Sequence, residues 1–270
     1  MNNDLYQNGL VTYLDILGFQ DIIDASKTDA AVVAKILTVL TTVKNEFAQR
    51  VWTEKARRTG VSDFFSTNFS DLTVRCTRMP DPPSRVDVFT REVVFIAEKQ
   101  FTLVTSEVLL RGGLCEGQIW FDKARGLVFG PSLVQAYKIE SEYALFPRVA
   151  IDRDLVRSFD STNEIRRDYL TRGDDGVFFI DYLFGTFIDA YALKMDEEDP
   201  FALLSQHRCA AERLILAHKS NRSSHIRQKY LWLGLYHNDA IRRLRDRFKS
   251  APARRKKIEE HFLPESLLDF

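Results

Sequence analysis

The sequence predicts an α+β fold with a βαββαβ core, extra strands after that core and a C-terminal helical extension. The first supporting observation is that β-rich apolar runs alternate with amphipathic stretches of helical period over residues 9–143. The second is the order of these elements, which packs economically as one sheet with the helices on one face and the other face free. The third is a change of character after residue 200, where two long helical patterns follow one another.

The individual elements follow from apolar spacing and from the positions of proline and glycine. The predicted elements are a buried strand at 9–17, an amphipathic helix at about 32–47, two short strands and their turn at 61–77, a proline-containing loop at 78–90, a second helix at 91–107, a hairpin at 109–130, a third helix from 131 to about 143, added strands within 148–152 and 176–187, and two final helices within 201–220 and 229–248.

A domain boundary is predicted between Met195 and Pro200, where acidic residues and a proline interrupt the pattern. It divides the chain into a first domain at 1–195 and a helical extension at 196–270. The aromatic stripe at 230–236 is expected to pack a helical interface.

Composition and charge exclude several classes of protein. Lys and Arg number 38 and Asp and Glu also number 38, so no overall basic field would attract nucleic acid. The three cysteines are far apart and show neither a disulfide nor a zinc spacing, and the five histidines show no metal spacing. No apolar run approaches the roughly 18 residues of a membrane span. We therefore expect a cytoplasmic protein without a nucleic-acid or membrane partner.

Asp15 and Asp71 are the candidate metal ligands. Asp15 stands at the end of a buried strand and Asp71 in the turn between two short strands. An unpaired carboxylate in apolar surroundings is costly, and two carboxylates meeting at one sheet edge would form an oxygen site for Mg²⁺ or Mn²⁺. The alternative is that Asp15 caps the next helix and that Asp71 is an ordinary turn residue.

Two glycine motifs and one basic run also have two interpretations each. Gly18, Phe19 and Gln20 open a helix, whose backbone N–H groups are natural phosphate ligands, but a simple turn explains them as well. The glycines of 111–117 indicate either a bulge or the close approach of a ligand or another chain. The basic run at 242–257 is interpreted as a solvated helix end rather than as a polyanion site.

These motifs together resemble the class III nucleotidyl cyclases over about residues 9–155. The segment YLDILGF (13–19) looks like the family's first metal-binding strand, and FSDLTV (69–74) is similar to the hairpin tip that brings the second metal aspartate. Residues 109–140 look like the later hairpin and the helix that completes the site. The resemblance implies that 1–195 is a catalytic domain with a ferredoxin-like core.

The resemblance also implies two divalent cations, Mn²⁺ or Mg²⁺, and a homodimer. Class III sites form between two catalytic domains, and one such domain per chain implies a symmetric dimer with two composite sites. The aromatic stripe at 230–236 is expected to brace that dimer. The residues assigned in this way are Asp15, Asp71 and the Ile16 carbonyl for the cations, and Gly18, Phe19 and Gln20 for the phosphates.

The chain departs from the purine-specific members of that family. Where these place an asparagine and an arginine on the third helix, this chain has Val134 and Lys138, and where they place a base-reading lysine it has Thr67. The combination resembles the pyrimidine cyclases of the bacterial Pycsar antiphage defence system. A positively charged side chain is still needed beside the leaving pyrophosphate, and Arg111 and Lys138 are the candidates.

The resemblance implies the conversion of UTP to cyclic UMP, a second messenger for a separate effector protein, with cyclic CMP as the second choice of product. Thr67 and the bulky Phe65 are the candidate base-reading residues, because bulk disfavours a bicyclic base and a hydroxyl pairs with a pyrimidine edge. Two other interpretations stay open: a purine cyclase, and an inactive cyclase-like module that binds nucleotide or a protein.

Overall fold

The computed structural model describes residues 6–48, 64–159, 164–192 and 199–268. The strands in these ranges are β1 (Gln7–Ile16), β2 (Phe64–Phe69), β3 (Leu72–Arg78), β4 (Leu110–Asp122), β5 (Leu127–Phe129), β6 (Val149–Ile151), β7 (Leu170–Arg172) and β8 (Phe178–Ile180). The helices are α1 (Phe19–Ser26), α2 (Ala30–Ala48), α3 (Ser84–Thr105), α4 (Pro131–Tyr143), α5 (Arg153–Arg157), α6 (Glu164–Tyr169), α7 (Tyr182–Ala192), α8 (Phe201–His218), α9 (Ser224–Arg247), α10 (Pro252–Glu259) and α11 (Glu265–Leu268).

The strands form one open, mixed sheet. Its order is β2-β3-β1-β4-β6-β8-β7, and β5 pairs with β4 as a hairpin. The neighbours β2, β3, β1 and β4 are all antiparallel, whereas β4 and β6 are parallel. This arrangement of helices and a mixed sheet confirms the predicted α+β class.

Two predicted boundaries are wrong. The loop predicted at 78–90 ends at Pro83, because α3 already begins at Ser84 and buries Val88 and Phe89 in its first turns. Proline is tolerated at the start of a helix, where no intrahelical N–H is needed. The apolar run at 176–187 is only partly strand, since α7 begins at Tyr182. Periodicity cannot separate a buried strand from a buried helix in a short apolar run.

The second sheet face is not free, contrary to the expectation from the sequence. One face of β1 contributes to the main core, whereas Val11 on the other face lies in a second apolar cluster with Ala136 and Ile139 of α4. A Cβ on Gly113 would lie 2.1 Å from the carbonyl oxygen of Ala136. The glycines of β4 therefore allow α4 to approach the sheet closely. The close neighbour of these glycines is a helix of the same chain.

The aromatic residues of α9 pack inside the chain. Trp232 stacks on Phe146 at a ring-centroid distance of 5.5 Å and meets Phe179 of β8 edge-on at 5.6 Å. Tyr236 is buried, and its hydroxyl donates to Asp181 at 2.9 Å. The stripe packs a helical interface as predicted, and this interface lies within one chain, so its rings are less exposed than expected. That the stripe also braces a dimer stays a prediction.

Carboxylates pair with several side chains of the basic run. Arg243 forms an ion pair with Asp181, Arg255 lies 3.0 Å from Glu259, and Lys257 lies 2.7 Å from Asp199. These pairs reduce the charge available to an outside polyanion, in agreement with a solvated helix end.

Buried side chains link α7, α8 and α9 through a directional chain of hydrogen bonds. The main-chain carbonyl of His261 can only accept, so His237 Nε2 donates to it at 2.8 Å. Neutral His237 then accepts at Nδ1 from His207 Nδ1 at 2.9 Å, and His207 Nε2 accepts from the Tyr182 hydroxyl at 2.8 Å. Each ring must stay neutral to keep this order.

The free energy of unfolding is expected to fall as the pH decreases below about 6.5. Burial lowers the pKa of His237 to about 4 and that of His207 well below its usual value, so acid protonates these rings first in the unfolded state. Each ring contributes a loss of about 1 kcal/mol per pH unit in that window. Urea unfolding at pH 7.5 and pH 5.5 measures the change. The His207→Gln/His237→Gln variant should lose most of it and the exposed His225→Gln variant should keep it; equal stability of the natural protein at both pH values would contradict the assignment.

Candidate functional site

A cleft of about 790 Å³ opens where β1 ends. Its walls come from the end of β1 and the start of α1, the β2–β3 turn, β4, α4 and the start of α9. The lining residues are Tyr13, Asp15, Ile16, Leu17, Gly18, Phe19, Gln20, Asp21, Phe69, Ser70, Asp71, Leu72, Arg111, Tyr137, Glu140, Ser223, His225, Ile226 and Lys229. The cleft thus brings together most of the predicted metal, phosphate and charge-neutralising residues.

The local sequence places Asp15 and the following turn at the end of β1, where the cleft opens. The β1 strand alternates its side chains between the two cores, and Asp15 lies opposite Arg111 in the register with β4. Gly18 then adopts a left-handed conformation with φ of 79°, which an L side chain rarely adopts, and α1 begins at the next residue. The chain therefore turns sharply enough to set the start of α1 beside Asp15.

The β2–β3 turn brings Asp71 to the same place. Ser70 has a φ of 56°, which closes a two-residue connection between the strands. Burial raises the pKa of the Asp15 carboxyl, and the neighbouring Asp71, within hydrogen-bonding reach, raises it further while Arg111 opposes both effects. Because the two carboxylates are so close together, ionisation of both at the same time is disfavoured.

Arg111 lies between Asp15 and a carboxylate that the sequence reasoning missed, Glu140 of α4. The Arg111 Nε–H donates to Asp15 Oδ2 at 2.9 Å, and the same nitrogen lies 2.8 Å from Glu140 Oε1. Because that N–H is directed at Asp15, Glu140 Oε1 is buried without a hydrogen bond to any residue that the structure describes. Burial also raises the pKa of Glu140.

The oxygen atoms of Asp15, Asp71 and Ile16 at this end of the cleft are of the kinds that divalent cations take as ligands. Burial and then the charges of Glu140 and Asp15 raise the pKa of the Tyr13 phenol to about 12. Across the described ranges, no group of three or more His, Cys, Asp or Glu side chains is arranged to hold a metal ion. The candidate ligands are therefore two carboxylates, those of Asp15 and Asp71, together with the main-chain carbonyl of Ile16, all oxygens of the kind that Mg²⁺ and Mn²⁺ prefer.

Three predicted site residues do not line this cleft. Lys138 is exposed on α4, and Thr67 is half-buried in β2 away from the cleft. Phe65 is buried and stacks on Phe121 at a centroid distance of 5.7 Å. Of the β2 aromatics, Phe69 at the tip of the hairpin reaches the cleft and is 79% exposed.

The sequence reasoning also missed the aromatic pair and the α9 residues in the cleft. Tyr13 meets Tyr137 of α4 edge-on at 5.5 Å. A weak signal existed for Glu140, because it follows Ile139 on the apolar side of a predicted helix. None existed for Lys229, whose helix is separated from Asp15 by most of the chain.

Comparison of the sequence with protein-family models finds no match, and comparison with curated proteins finds none either. Within the described ranges, no helix combines the length and the apolar character needed to cross a membrane.

Proposed function

We propose that the protein is a class III nucleotidyl cyclase that converts UTP to 3′,5′-cyclic UMP and pyrophosphate. The observation that carries the proposal is the convergence of Asp15, Asp71 and Arg111 with the Gly18 turn in one cleft. The antiparallel order β2-β3-β1-β4 is also that of a ferredoxin-like βαββαβ core. The antiphage role, with a separate effector that responds to the cyclic nucleotide, is the part of the proposal that the Pycsar resemblance supplies.

The reaction joins the ribose 3′-oxygen to the α-phosphorus and releases pyrophosphate. Two divalent cations held by Asp15, Asp71 and the Ile16 carbonyl would supply Lewis-acid stabilisation of phosphate charge and acidify the attacking hydroxyl. The N–H groups of Phe19 and Gln20 stand at the start of α1, where they can bind phosphate oxygens.

Arg111 has two carboxylate partners, and in the proposed reaction it exchanges one of these contacts for a contact with phosphate. It now neutralises Asp15 and Glu140. Cations on the carboxylates would leave its guanidinium free to contact the phosphates, where its positive charge would stabilise the transition state. Glu140 then holds one side of Arg111 and orients it, as a positioning residue.

Aromatic rings are the features of the cleft that suit a base. Tyr13, Tyr137 and the exposed Phe69 all line it, and such rings provide stacking surfaces for any base. Because Thr67 and Phe65 lie outside the cleft of their own chain, the preference for uracil rests on the resemblance to the pyrimidine cyclases.

A homodimer with composite sites is part of the same proposal. Lys138 is exposed on α4 and does not line the cleft of its own chain. A role for Lys138 on the pyrophosphate therefore requires the cleft of a second copy, as in a symmetric pair of sites.

Incubation with each of the four ribonucleoside triphosphates and Mn²⁺, followed by mass analysis, tests the proposed reaction. We expect cyclic UMP as the main product, cyclic CMP second and purine products at lower rates, since the loss of one steric contact changes selectivity by only ~1–3 kcal/mol. ATP or GTP cyclised at least as well as UTP and CTP would establish a purine cyclase. Absence of every cyclic product would favour the inactive nucleotide-binding module.

A further inference from the structure

The C-terminal extension supplies one wall of the cleft, and the cyclase-like segment at 9–155 does not account for this wall. Ser223, His225, Ile226 and Lys229 line the cleft from the start of α9. The next residue, Tyr230, has its hydroxyl 4.0 Å from the position that a Cβ would take on Gly18. This end of α9 therefore packs directly beside the turn that follows β1.

Lys229 is the cation in this wall, and its surroundings disfavour its charge. Burial and then the nearby Arg111 lower the pKa of Lys229, while Asp21 and Asp15 act in the opposite direction. Its side chain makes no hydrogen bond or ion pair with any residue in the described ranges. Arg111, in contrast, is already engaged by two carboxylates. A half-buried ammonium group without such a partner gains most from an anionic ligand in the cleft.

We infer that Lys229 binds the polyphosphate of the nucleotide and stays with the pyrophosphate as it leaves, an inference that rests on the proposed function. A lysine ammonium is a compact charge with three donors and binds phosphate oxygens well. The Gly18 turn, beside which the neighbouring Tyr230 packs, offers backbone N–H groups to the same anion, and Asp15 and Asp71 line the same cleft.

In the step that Lys229 assists, one bond to the α-phosphorus forms and one breaks. The bond between the 3′-oxygen and the α-phosphorus forms, the bond from the α-phosphorus to the bridging oxygen breaks, and the hydroxyl proton passes to solvent. The bridging oxygen leaves with the electron pair as part of pyrophosphate. Lys229 remains protonated throughout and neutralises the charge that develops on this leaving group.

Kinetic comparison of Lys229→Met and Lys229→Arg with the natural full-length protein tests the role. Loss of one charged hydrogen bond to phosphate should lower kcat/KM by about 10- to 100-fold and weaken inhibition by pyrophosphate by a similar factor. Lys229→Arg should restore most of both, and the thermal unfolding midpoint of Lys229→Met should not fall, because burial disfavours the charge that this substitution removes. Lys249→Met is the matched control, because Lys249 is an exposed lysine just beyond the other end of α9. Natural kcat/KM and pyrophosphate inhibition in Lys229→Met would overturn the inference.

Binding of tripolyphosphate with Mg²⁺, measured by calorimetry, separates this inference from the proposed reaction. Weaker binding in Lys229→Met, with natural binding in Lys249→Met, supports the polyphosphate site even if no nucleotide is cyclised, in which case the proposed reaction alone fails. Cyclisation by the natural protein together with unchanged tripolyphosphate binding in Lys229→Met leaves the reaction standing and overturns the role of Lys229. Absence of tripolyphosphate binding to the natural protein would also overturn it.

Discussion

Asp15→Asn and Asp71→Asn are each expected to lower nucleotide cyclisation by about 10³-fold or more while the protein stays folded. Each substitution removes a carboxylate that the cation pair needs, and cation stabilisation of phosphate charge is worth several kcal/mol. Asparagine has nearly the same shape as aspartate, so packing around β1 and the β2–β3 turn is retained. Initial rates of cyclic UMP formation at saturating Mn²⁺ measure the loss.

Stability provides an internal check on the same variants. Because burial and Asp71 raise the pKa of Asp15, its ionised form opposes folding at neutral pH. We therefore expect Asp15→Asn to unfold at the same temperature as the natural protein or higher. Asp24→Asn, an exposed change on α1 outside the cleft, is the matched control and should keep full activity. A rate within tenfold of the natural one in either variant would refute the assigned cation ligands.

Glu92→Met is expected to destabilise the fold by about 3–5 kcal/mol. Glu92 of α3 and Arg75 of β3 form a bidentate pair, with Nε–Oε1 and Nη2–Oε2 distances of 2.8 and 2.9 Å. Both side chains are buried, and the guanidinium lies 4.0 Å from the Phe95 ring centroid. Loss of the carboxylate leaves a buried guanidinium without its counter-ion, so the urea midpoint should fall sharply.

The double variant Arg75→Met/Glu92→Met tests whether the cost comes from the unpaired charge. Two apolar side chains of similar length replace two charges whose desolvation offsets their attraction, so most of the lost stability should return. A residual cost of about 1 kcal/mol is expected from the Thr12 hydroxyl, which loses its acceptor at 2.8 Å. If the double variant is less stable than Glu92→Met, the charge-pair explanation fails.

The course of the chain through the first strands could be predicted because the signals are local. Asp15 comes near the end of a largely buried apolar run, Gly18 follows that strand, and Asp71 follows a serine in a tight turn between two β-rich segments. Each of these signals lies within a few residues of the feature that it determines. The same local information failed at residues 176–187, where an apolar run suits a strand and a buried helix equally well.

The sequence by itself therefore determined the order of strands and helices over about residues 9–143 and the positions of the two aspartates, Asp15 near the end of β1 and Asp71 in the β2–β3 turn. Only the tertiary structure decided which distant side chains line the cleft with them. Glu140 lines it because glycines in β4 let α4 pack closely, and Lys229 lines it because α9 lies beside the Gly18 turn. Phe65 does not line it, because its ring stacks on Phe121. The physical reason is the sequence separation over which each kind of interaction acts. Backbone preferences and side-chain alternation act between near neighbours in the chain, whereas the choice of which faces meet depends on burying apolar area and pairing charges between segments far apart in sequence.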